Sequence, residues 1–154
     1  MVTMNRILIV DDHALFRDAL REFLSQEPDL QVVGEAGNIG EAIRSIGALS
    51  PHLVLTDLTM PGARGVEAVT EIRRHYQNVK ILVISLHRDN EFKHWCRKAG
   101  AAGYIAKDAI YDELRDSIRS VLGGKTGANA LVEMFADHVL ESASTDNDRS
   151  RCLH

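Results

Sequence analysis

Short runs of apolar residues alternate along this chain with longer stretches in which apolar positions recur every three or four residues. The apolar runs occupy positions 7–10, 30–33, 53–55, 81–84 and 103–106. Mostly continuous runs of this length are typical of parallel strands that are covered on both faces. The intervening stretches each carry one apolar face at helical spacing: 15–24, 39–46, 66–72, 92–99 and 110–122. Five strand-then-helix units predict an α/β fold with a parallel sheet and right-handed crossovers.

The pattern changes near the C-terminal end of the sequence. Apolar residues at helical spacing predict an amphipathic helix over 128–140, and the polar stretch that follows has the composition of a flexible linker. We therefore divide the chain into one domain over residues 1–124 and a linker-like tail over residues 125–154.

Composition and charge narrow the class of protein. A length of 154 residues fits one domain with a tail, and 45% hydrophobic residues exclude wholesale disorder. The net charge of −4 argues against a dedicated nucleic-acid-binding domain, which would carry a basic face. The sequence has no secretory signal and no apolar stretch long enough to span a bilayer, and Cys96 and Cys152 lack ligand spacing. We therefore expect a cytoplasmic protein that does not bind membranes.

Polar residues follow four of the five predicted strands. Asp11 and Asp12 follow the first strand, and Asp57, Ser85 and Lys107 end or follow the third, fourth and fifth. The carboxyl ends of parallel strands meet at one edge of a sheet, where ligands of such folds bind. Close carboxylates repel one another unless a cation joins them, and an all-oxygen ligand set favours Mg²⁺. The sequence therefore predicts a magnesium site at this edge.

A carboxylate placed between Mg²⁺ and a lysine can accept a phosphoryl group. In that arrangement Asp57 attacks phosphorus, Lys107 neutralises the phosphoryl oxygens, and Ser85 hydrogen-bonds one of them. Each residue alone also has a plain structural interpretation. Asp11 and Asp12 suit a helix N-cap, Asp57 suits a turn, and a lone lysine is usually solvated. The coincidence of all of them at one sheet edge favours the phosphoryl site.

The sequence resembles a response-regulator receiver domain over most of its length. The residues that carry the resemblance are 7–13 (ILIVDDH), 57–62 (DLTMPG) with Gly65, Ser85, and 103–107 (GYIAK). The resemblance implies a flavodoxin-like (CheY-like) fold, with a five-stranded parallel sheet in the order 2-1-3-4-5, five helices and a C-terminal extension.

The resemblance also implies roles for individual residues. Asp57 is the phosphoacceptor and takes its phosphoryl group from a sensor histidine kinase, in a self-catalysed reaction and with no other enzymatic activity. Asp11, Asp12, Asp57 and the backbone carbonyl of Thr59 hold Mg²⁺, and Lys107 assists the transfer. Ser85 and Tyr104 match the switch residues, so we expect Ser85 to move toward the phosphoryl group and Tyr104 to rotate inward. Thr59 and His87 match positions that tune dephosphorylation.

Further details resemble the LuxR/NarL (FixJ-like) subgroup. The matching segments are 10–13 (VDDH), 33–36 (VGEA) and 103–109 (GYIAKDA). Asp108 stands where many receivers carry proline, and Arg64 departs from the usual acidic or small residue. The subgroup normally continues into a helix-turn-helix domain, for which the stretch after Leu122 is too short and too acidic. We expect homodimerisation on phosphorylation, and transcription control through an output domain absent from this chain.

Three other functions remain as alternatives. The first is a stand-alone or pseudo-receiver that acts as a protein-interaction module. The second is a haloacid-dehalogenase-like phosphatase, but Thr59 stands where that mechanism needs a second acid. The third is a nucleotide-binding domain, which would need a glycine-rich loop where residues 11–13 (DDH) stand.

Overall fold

The computed structural model describes residues 4–57, 66–85 and 90–123, together with the backbone of residues 133–134. The strands of these parts are β1 (Asn5–Val10), β2 (Leu30–Ala36), β3 (Leu53–Asp57), β4 (Lys80–Ser85), β5 (Gly103–Ala106) and β6 (Glu133–Met134). The helices are α1 (Ala14–Ser25), α2 (Ile39–Leu49), α3 (Glu67–His75), α4 (Asn90–Ala99) and α5 (Ile110–Gly123), with a 3-10 turn at Lys107–Ala109. No helix among these residues is both long and apolar enough to cross a membrane.

The sheet has the strand order β2-β1-β3-β4-β5-β6, and its first five strands are parallel. The predicted five-stranded order 2-1-3-4-5 is therefore confirmed. The register aligns the carboxyl ends of the central strands, because Asp57 pairs with Ile84 and Ser85 pairs with Ala106. Val10 pairs with Thr56, so Asp11 leaves β1 beside Asp57. The polar residues that follow these strands consequently meet at one edge.

The tail contributes a short strand where the sequence predicted a helix. Residues Glu133 and Met134 pair antiparallel with Tyr104 and Gly103 of β5. At these two positions the predicted helix over 128–140 is wrong. The last parallel strand leaves a row of backbone N–H and C=O groups unpaired, and an added strand satisfies some of them. The other positions of that helix, and most of the tail over 125–154, lie outside the described residues.

Two apolar layers cover the two faces of the sheet. Leu8 and Val54 point into the layer formed with α2, α3 and α4, whereas Ile7 and Leu53 point into the layer formed with α1 and α5. All five residues of β3 are buried. Burial on both faces explains why the strands are continuously apolar, and each fully buried aliphatic side chain contributes roughly 1.5–3 kcal/mol. The polar residues at the strand ends are therefore anchored to strands that are packed on both faces.

Candidate functional site

The centre of the candidate site is an ion pair between the ends of two strands. Asp57 ends β3 and is 2% exposed, and Lys107 follows β5 directly. The Lys107 ammonium donates a hydrogen bond from Nζ to Oδ2 of Asp57 at 3.0 Å. Two residues separated by fifty positions meet because their strands end at the same edge. The structure thus brings together the carboxylate of Asp57 and the ammonium of Lys107, as the sequence predicted.

Asp11 lies beside this pair with one oxygen unsatisfied. Its Oδ1 accepts a hydrogen bond from the backbone N–H of His13 at 2.8 Å. Its Oδ2 is buried, lies 3.6 Å from Nζ of Lys107, and has no hydrogen-bond partner among the described residues. A buried carboxylate oxygen without a partner carries a substantial desolvation cost, which a bound cation would offset. This oxygen is the clearest sign that the residues present fit a hard cation.

Asp12 and His13 lie beside Asp11 and Asp57 and are more exposed than either; we call these four residues the acidic group. The His13 ring nitrogen Nδ1 lies 3.1 Å from Oδ1 of Asp11 and 3.0 Å from Oδ1 of Asp12. Asp11, Asp12, His13 and Asp57 each place one ligand atom within 4.8 Å of the others. Three carboxylates with an imidazole at the rim suit Mg²⁺, which prefers oxygen ligands and retains several waters. His13 belongs to the motif at 7–13, but the sequence predicted no role for it in the site.

The pKa values of two residues in the site are raised, one mainly by burial and the other by neighbouring carboxylates. Burial is the largest cause that raises the pKa of Asp11, and the Asp57 carboxylate raises it further against the His13 N–H and Lys107. Burial alone would lower the pKa of Lys107, but its hydrogen bond to Asp57 and the charges of Asp57 and Asp11 outweigh it, so this pKa is raised. Lys107 is therefore a fixed cation. Two buried carboxylates share one ammonium, which leaves the site net negative and attractive to a second cation.

Phe16 contacts Lys107, and the sequence did not predict this contact. The ammonium Nζ lies 4.3 Å from the centroid of the Phe16 ring, within the range of a cation–π contact. Phe16 belongs to the apolar face of α1, so its pattern indicated only a core role. This contact adds to the ion pair with Asp57 in favouring the buried position of the lysine, whose side chain is 16% exposed.

The two predicted switch residues lie on β4 and β5. Ser85 ends β4 and is fully buried, and Tyr104 on β5 is 2% exposed. Nζ of Lys93 lies 5.8 Å from the centroid of the Tyr104 ring. The Tyr104 ring is therefore covered from solvent in this structure. The coupling between Ser85 and Tyr104 stays a prediction.

Three predicted positions fall outside the described residues. They are Thr59, whose carbonyl was assigned to Mg²⁺, His87, assigned to dephosphorylation, and Arg64. Their assignments stay predictions.

Comparison with known proteins gives one consistent result. The family model described as the response regulator receiver domain matches residues 7–119. Among curated proteins, the chain is 37% identical to the transcriptional regulatory protein LiaR of Bacillus subtilis over 122 residues, which is 79% of this chain and 58% of LiaR. It is 34% identical to the response regulator UvrY of Escherichia coli K12 over 145 residues, which is 94% of this chain and 66% of UvrY.

Solved structures agree with these relatives. A LuxR-family two-component response regulator from Aurantimonas sp. SI85-9A1 is 36% identical, with a TM-score of 0.76 over 80% of this chain and 88% of that one. The signal receiver domain of the putative response regulator NarL from Mycobacterium tuberculosis is 30% identical, with a TM-score of 0.74 over 80% of this chain and 99% of that one. The chain spans about half to two thirds of the length of the curated relatives it matches.

Proposed function

The chain belongs to the response regulator receiver domain family, with LuxR/NarL-family relatives, and from this premise we propose that Asp57 accepts a phosphoryl group. The donor is the phosphohistidine of a sensor histidine kinase. The observation that carries the proposal is the 3.0 Å contact of Lys107 with Asp57 beside the unsatisfied Oδ2 of Asp11. Phosphoryl transfer to a carboxylate requires a buried acceptor, a cation beside it and carboxylate oxygens that can bind a metal ion, and these residues fit all three roles.

The transfer follows from these positions. A carboxylate oxygen of Asp57 forms a bond to phosphorus, while the P–N bond of the donor breaks and its electron pair returns to the histidine ring. The ammonium group of Lys107 would donate hydrogen bonds to the phosphoryl oxygens, and its raised pKa keeps it charged throughout the transfer. Ser85, buried at the end of β4, is the hydroxyl we assign to a phosphoryl oxygen. Transfer to Asp57 and later hydrolysis are the only catalysis we propose.

The carboxylates that lie close together at this edge of the sheet would hold the metal. Asp11, Asp12 and Asp57 supply carboxylate oxygens, and the carbonyl of Thr59 is the further ligand that the motif implies. When bound, Mg²⁺ supplies neutralising charge to the acceptor and to the phosphoryl oxygens. We therefore expect no transfer in a metal-free solution.

The proposed output is a change of partner contacts. Phosphorylation adds roughly −1.5 to −2 charges and three acceptor oxygens beside Lys107. Movement of Ser85 toward that group, with Tyr104 filling the space it leaves, would alter the surface of α4, β5 and α5. We propose that homodimerisation in the cytoplasm reads this change. DNA binding and transcription control would then belong to a helix-turn-helix output domain outside these residues.

The proposal is tested by incubating the chain with acetyl phosphate and Mg²⁺ and recording its intact mass. We expect a gain of about 80 Da, the mass of one phosphoryl group, in the wild type. The gain should be absent with a chelator and absent in Asp57→Asn. No gain in the wild type would favour the pseudo-receiver alternative, and sustained turnover of a generic phosphate ester would favour the phosphatase.

A further inference from the structure

One arginine outside the acidic group ties the loop that carries this group to the rest of the fold. Arg17, in the first turns of α1, donates from Nη1 to the backbone carbonyl of Asp11 at 2.5 Å. It donates from Nε to Oε1 of Glu35 on β2 at 3.0 Å, and from its backbone N–H to the carbonyl of His13 at 3.0 Å. Three bonds from one residue therefore join the 11–13 loop to α1 and to β2.

The first of these bonds controls the orientation of one peptide group. The carbonyl of Asp11 belongs to the planar peptide that leads into Asp12, so fixing its direction fixes the direction in which the next residue leaves the loop. The Asp12 side chain is 27% exposed, and its contact is with the exposed ring of His13. Packing therefore holds Asp12 weakly, and the backbone has to position it.

Glu35 keeps Arg17 from acting as a competing cation. Its Oε1 accepts from Arg17, and its Oε2 accepts from Nε of Arg21 at 2.6 Å. Burial would raise the pKa of Glu35, but the two guanidinium groups outweigh it and the pKa is lowered, so this carboxylate stays ionised. The positive charge of Arg17 is thus paired with a carboxylate that does not belong to the acidic group.

We propose that Arg17 is a positioning residue for the cation site, holding the Asp11–Asp12 peptide so that both carboxylates face one divalent ion. The inference rests on the proposed function, because that function supplies the need for Mg²⁺. It adds a residue that touches neither the ion nor the phosphoryl group. Residues behind metal ligands typically change metal affinity 10- to 100-fold when they are replaced.

The sign of the effect separates positioning from plain electrostatics. Removal of a positive charge near a cation site strengthens cation binding if charge alone matters. If Arg17 positions the peptide, Arg17→Gln should instead weaken cation binding. Arg21 is the matched control, because it binds the other oxygen of the same Glu35 and, within the described residues, makes no hydrogen bond to the 11–13 loop. Arg21→Gln removes the same charge and leaves the Asp11 carbonyl bond in place.

The experiment is a titration of ¹⁵N-labelled chain with MgCl₂, followed by amide chemical shifts, for the wild type and the variants. We expect Arg17→Gln to bind Mg²⁺ about tenfold more weakly and Arg21→Gln to bind it as tightly as the wild type or slightly more tightly. Arg17→Lys should lie between, because one ammonium reaches the carbonyl but lacks the fork that also reaches Glu35. A role in stability alone would leave the dissociation constant of each folded variant unchanged.

Each contrary outcome has a distinct meaning. Equal or tighter Mg²⁺ binding by Arg17→Gln overturns the inference and leaves the proposed function standing. If Arg17→Gln does not fold, Arg17→Lys compared with Arg21→Lys decides in the same way: weaker binding by the first alone supports the inference, and equal binding overturns it. Absence of Mg²⁺ binding by the wild type contradicts the proposed function, and the inference with it.

Discussion

Asp11 is the residue at which stability and the proposed function oppose each other. It is 1% exposed, its Oδ2 lacks a hydrogen-bond partner among the described residues, and Asp57 raises its pKa further. A buried carboxylate that shares one lysine with another carboxylate costs free energy of folding, and a bound cation, as proposed above, would return that free energy. The arrangement of Asp11 therefore lowers the stability of the metal-free protein and favours the proposed cation site.

This opposition predicts the behaviour of Asp11→Asn. Without Mg²⁺, the variant should be more stable than the wild type by about 1 kcal/mol, because it removes a buried charge and leaves the Lys107–Asp57 pair intact. With Mg²⁺, the wild type should gain stability and the variant should gain little. Both effects are measured by urea denaturation, first without metal and then with Mg²⁺ at about ten times its dissociation constant. A variant that is less stable without metal would show that Asp11 serves folding.

Asp12→Asn is the control for that experiment, because Asp12 is more exposed and pays less for desolvation. It should weaken the effect of Mg²⁺ while leaving the metal-free stability almost unchanged. Equal stabilisation by both variants would mean that net charge, and not the burial of Asp11, causes the gain.

The positions of the site residues were predictable from the sequence only where a strand ends in them. Asp11, Asp57 and Lys107 follow continuous apolar runs, so the geometry of a parallel sheet places them together. His13, Phe16 and Arg17 were missed for a different reason. Their contacts depend on the conformation of the loop and on side-chain directions from α1, and neither leaves a periodic signal in the sequence.

At the scale of elements, the C-terminal ends of α3 and α4 are fastened by one side chain. Arg73 of α3 donates to the carbonyls of Tyr76 at 3.2 Å, Gln77 at 2.8 Å and Gly100 at 2.9 Å. Gly100 ends α4 with a φ of +112°, a conformation that favours glycine. A Cβ built there would lie 2.9 Å from Nε of Arg73. The end of α4 is therefore fixed, although α4 borders the surface proposed to change.

Gly100→Ala tests this fastening. The added methyl group meets a guanidinium that three carbonyls hold in place, and the positive φ is strained for alanine, so we expect a loss of about 1–3 kcal/mol in the free energy of unfolding. Gly123→Ala is the matched control, because a Cβ there meets none of the described residues within 4 Å and alanine favours the helix. Urea denaturation should show no loss for the control. Equal loss of stability in both variants would contradict the role assigned to Arg73 at the end of α4.

Elements were predicted well where periodicity was strong and neighbours were regular. The five parallel strands and five helices follow from the apolar pattern alone, whereas their order came from the resemblance to receivers. The antiparallel pairing of Glu133 and Met134 with β5 was not predicted. A helical period in a short segment competes with the open edge of a sheet, and sequence periodicity contains no information about that edge.

At the scale of the whole molecule, one ion-pair network joins parts of the chain about ninety positions apart. Arg119 on α5 contacts Glu27 at 2.6 Å and Asp29 at 2.9 Å, and Arg115 contacts Glu27 at 3.0 Å. Hydrogen bonds from Arg119 are the largest cause that lowers the pKa of both acids. The network fastens α5 to the turn before β2, on the face of the sheet that α1 also covers.

The pH dependence of stability follows from the direction of these shifts. A carboxylate whose pKa is lowered by folding contributes stability above its ordinary pKa, here 4.5 for Glu27 and 3.8 for Asp29, and loses it as the pH falls through the lowered value. Arg119→Gln should therefore lower the Tm at neutral pH, and the difference from the wild type should shrink as the solution is acidified below those values. High salt should also reduce it.

Arg44→Gln provides the comparison, since Arg44 is exposed on α2 and carries the same charge. Its Tm should follow that of the wild type at every pH. A Tm difference for Arg119→Gln that persists at low pH would show that the side chain acts by packing instead.

The central claim for the molecule is that one carboxylate, Asp57, receives the phosphoryl group while its acidic neighbours hold the metal. The most direct test is to phosphorylate the chain with acetyl phosphate and Mg²⁺, reduce it with borohydride, and sequence the peptides by mass spectrometry. Borohydride converts a phosphoaspartate to homoserine and leaves free aspartate unchanged. We predict homoserine at position 57 and aspartate at positions 11 and 12. Homoserine at position 11 or 12, or at none of the three, would contradict the account.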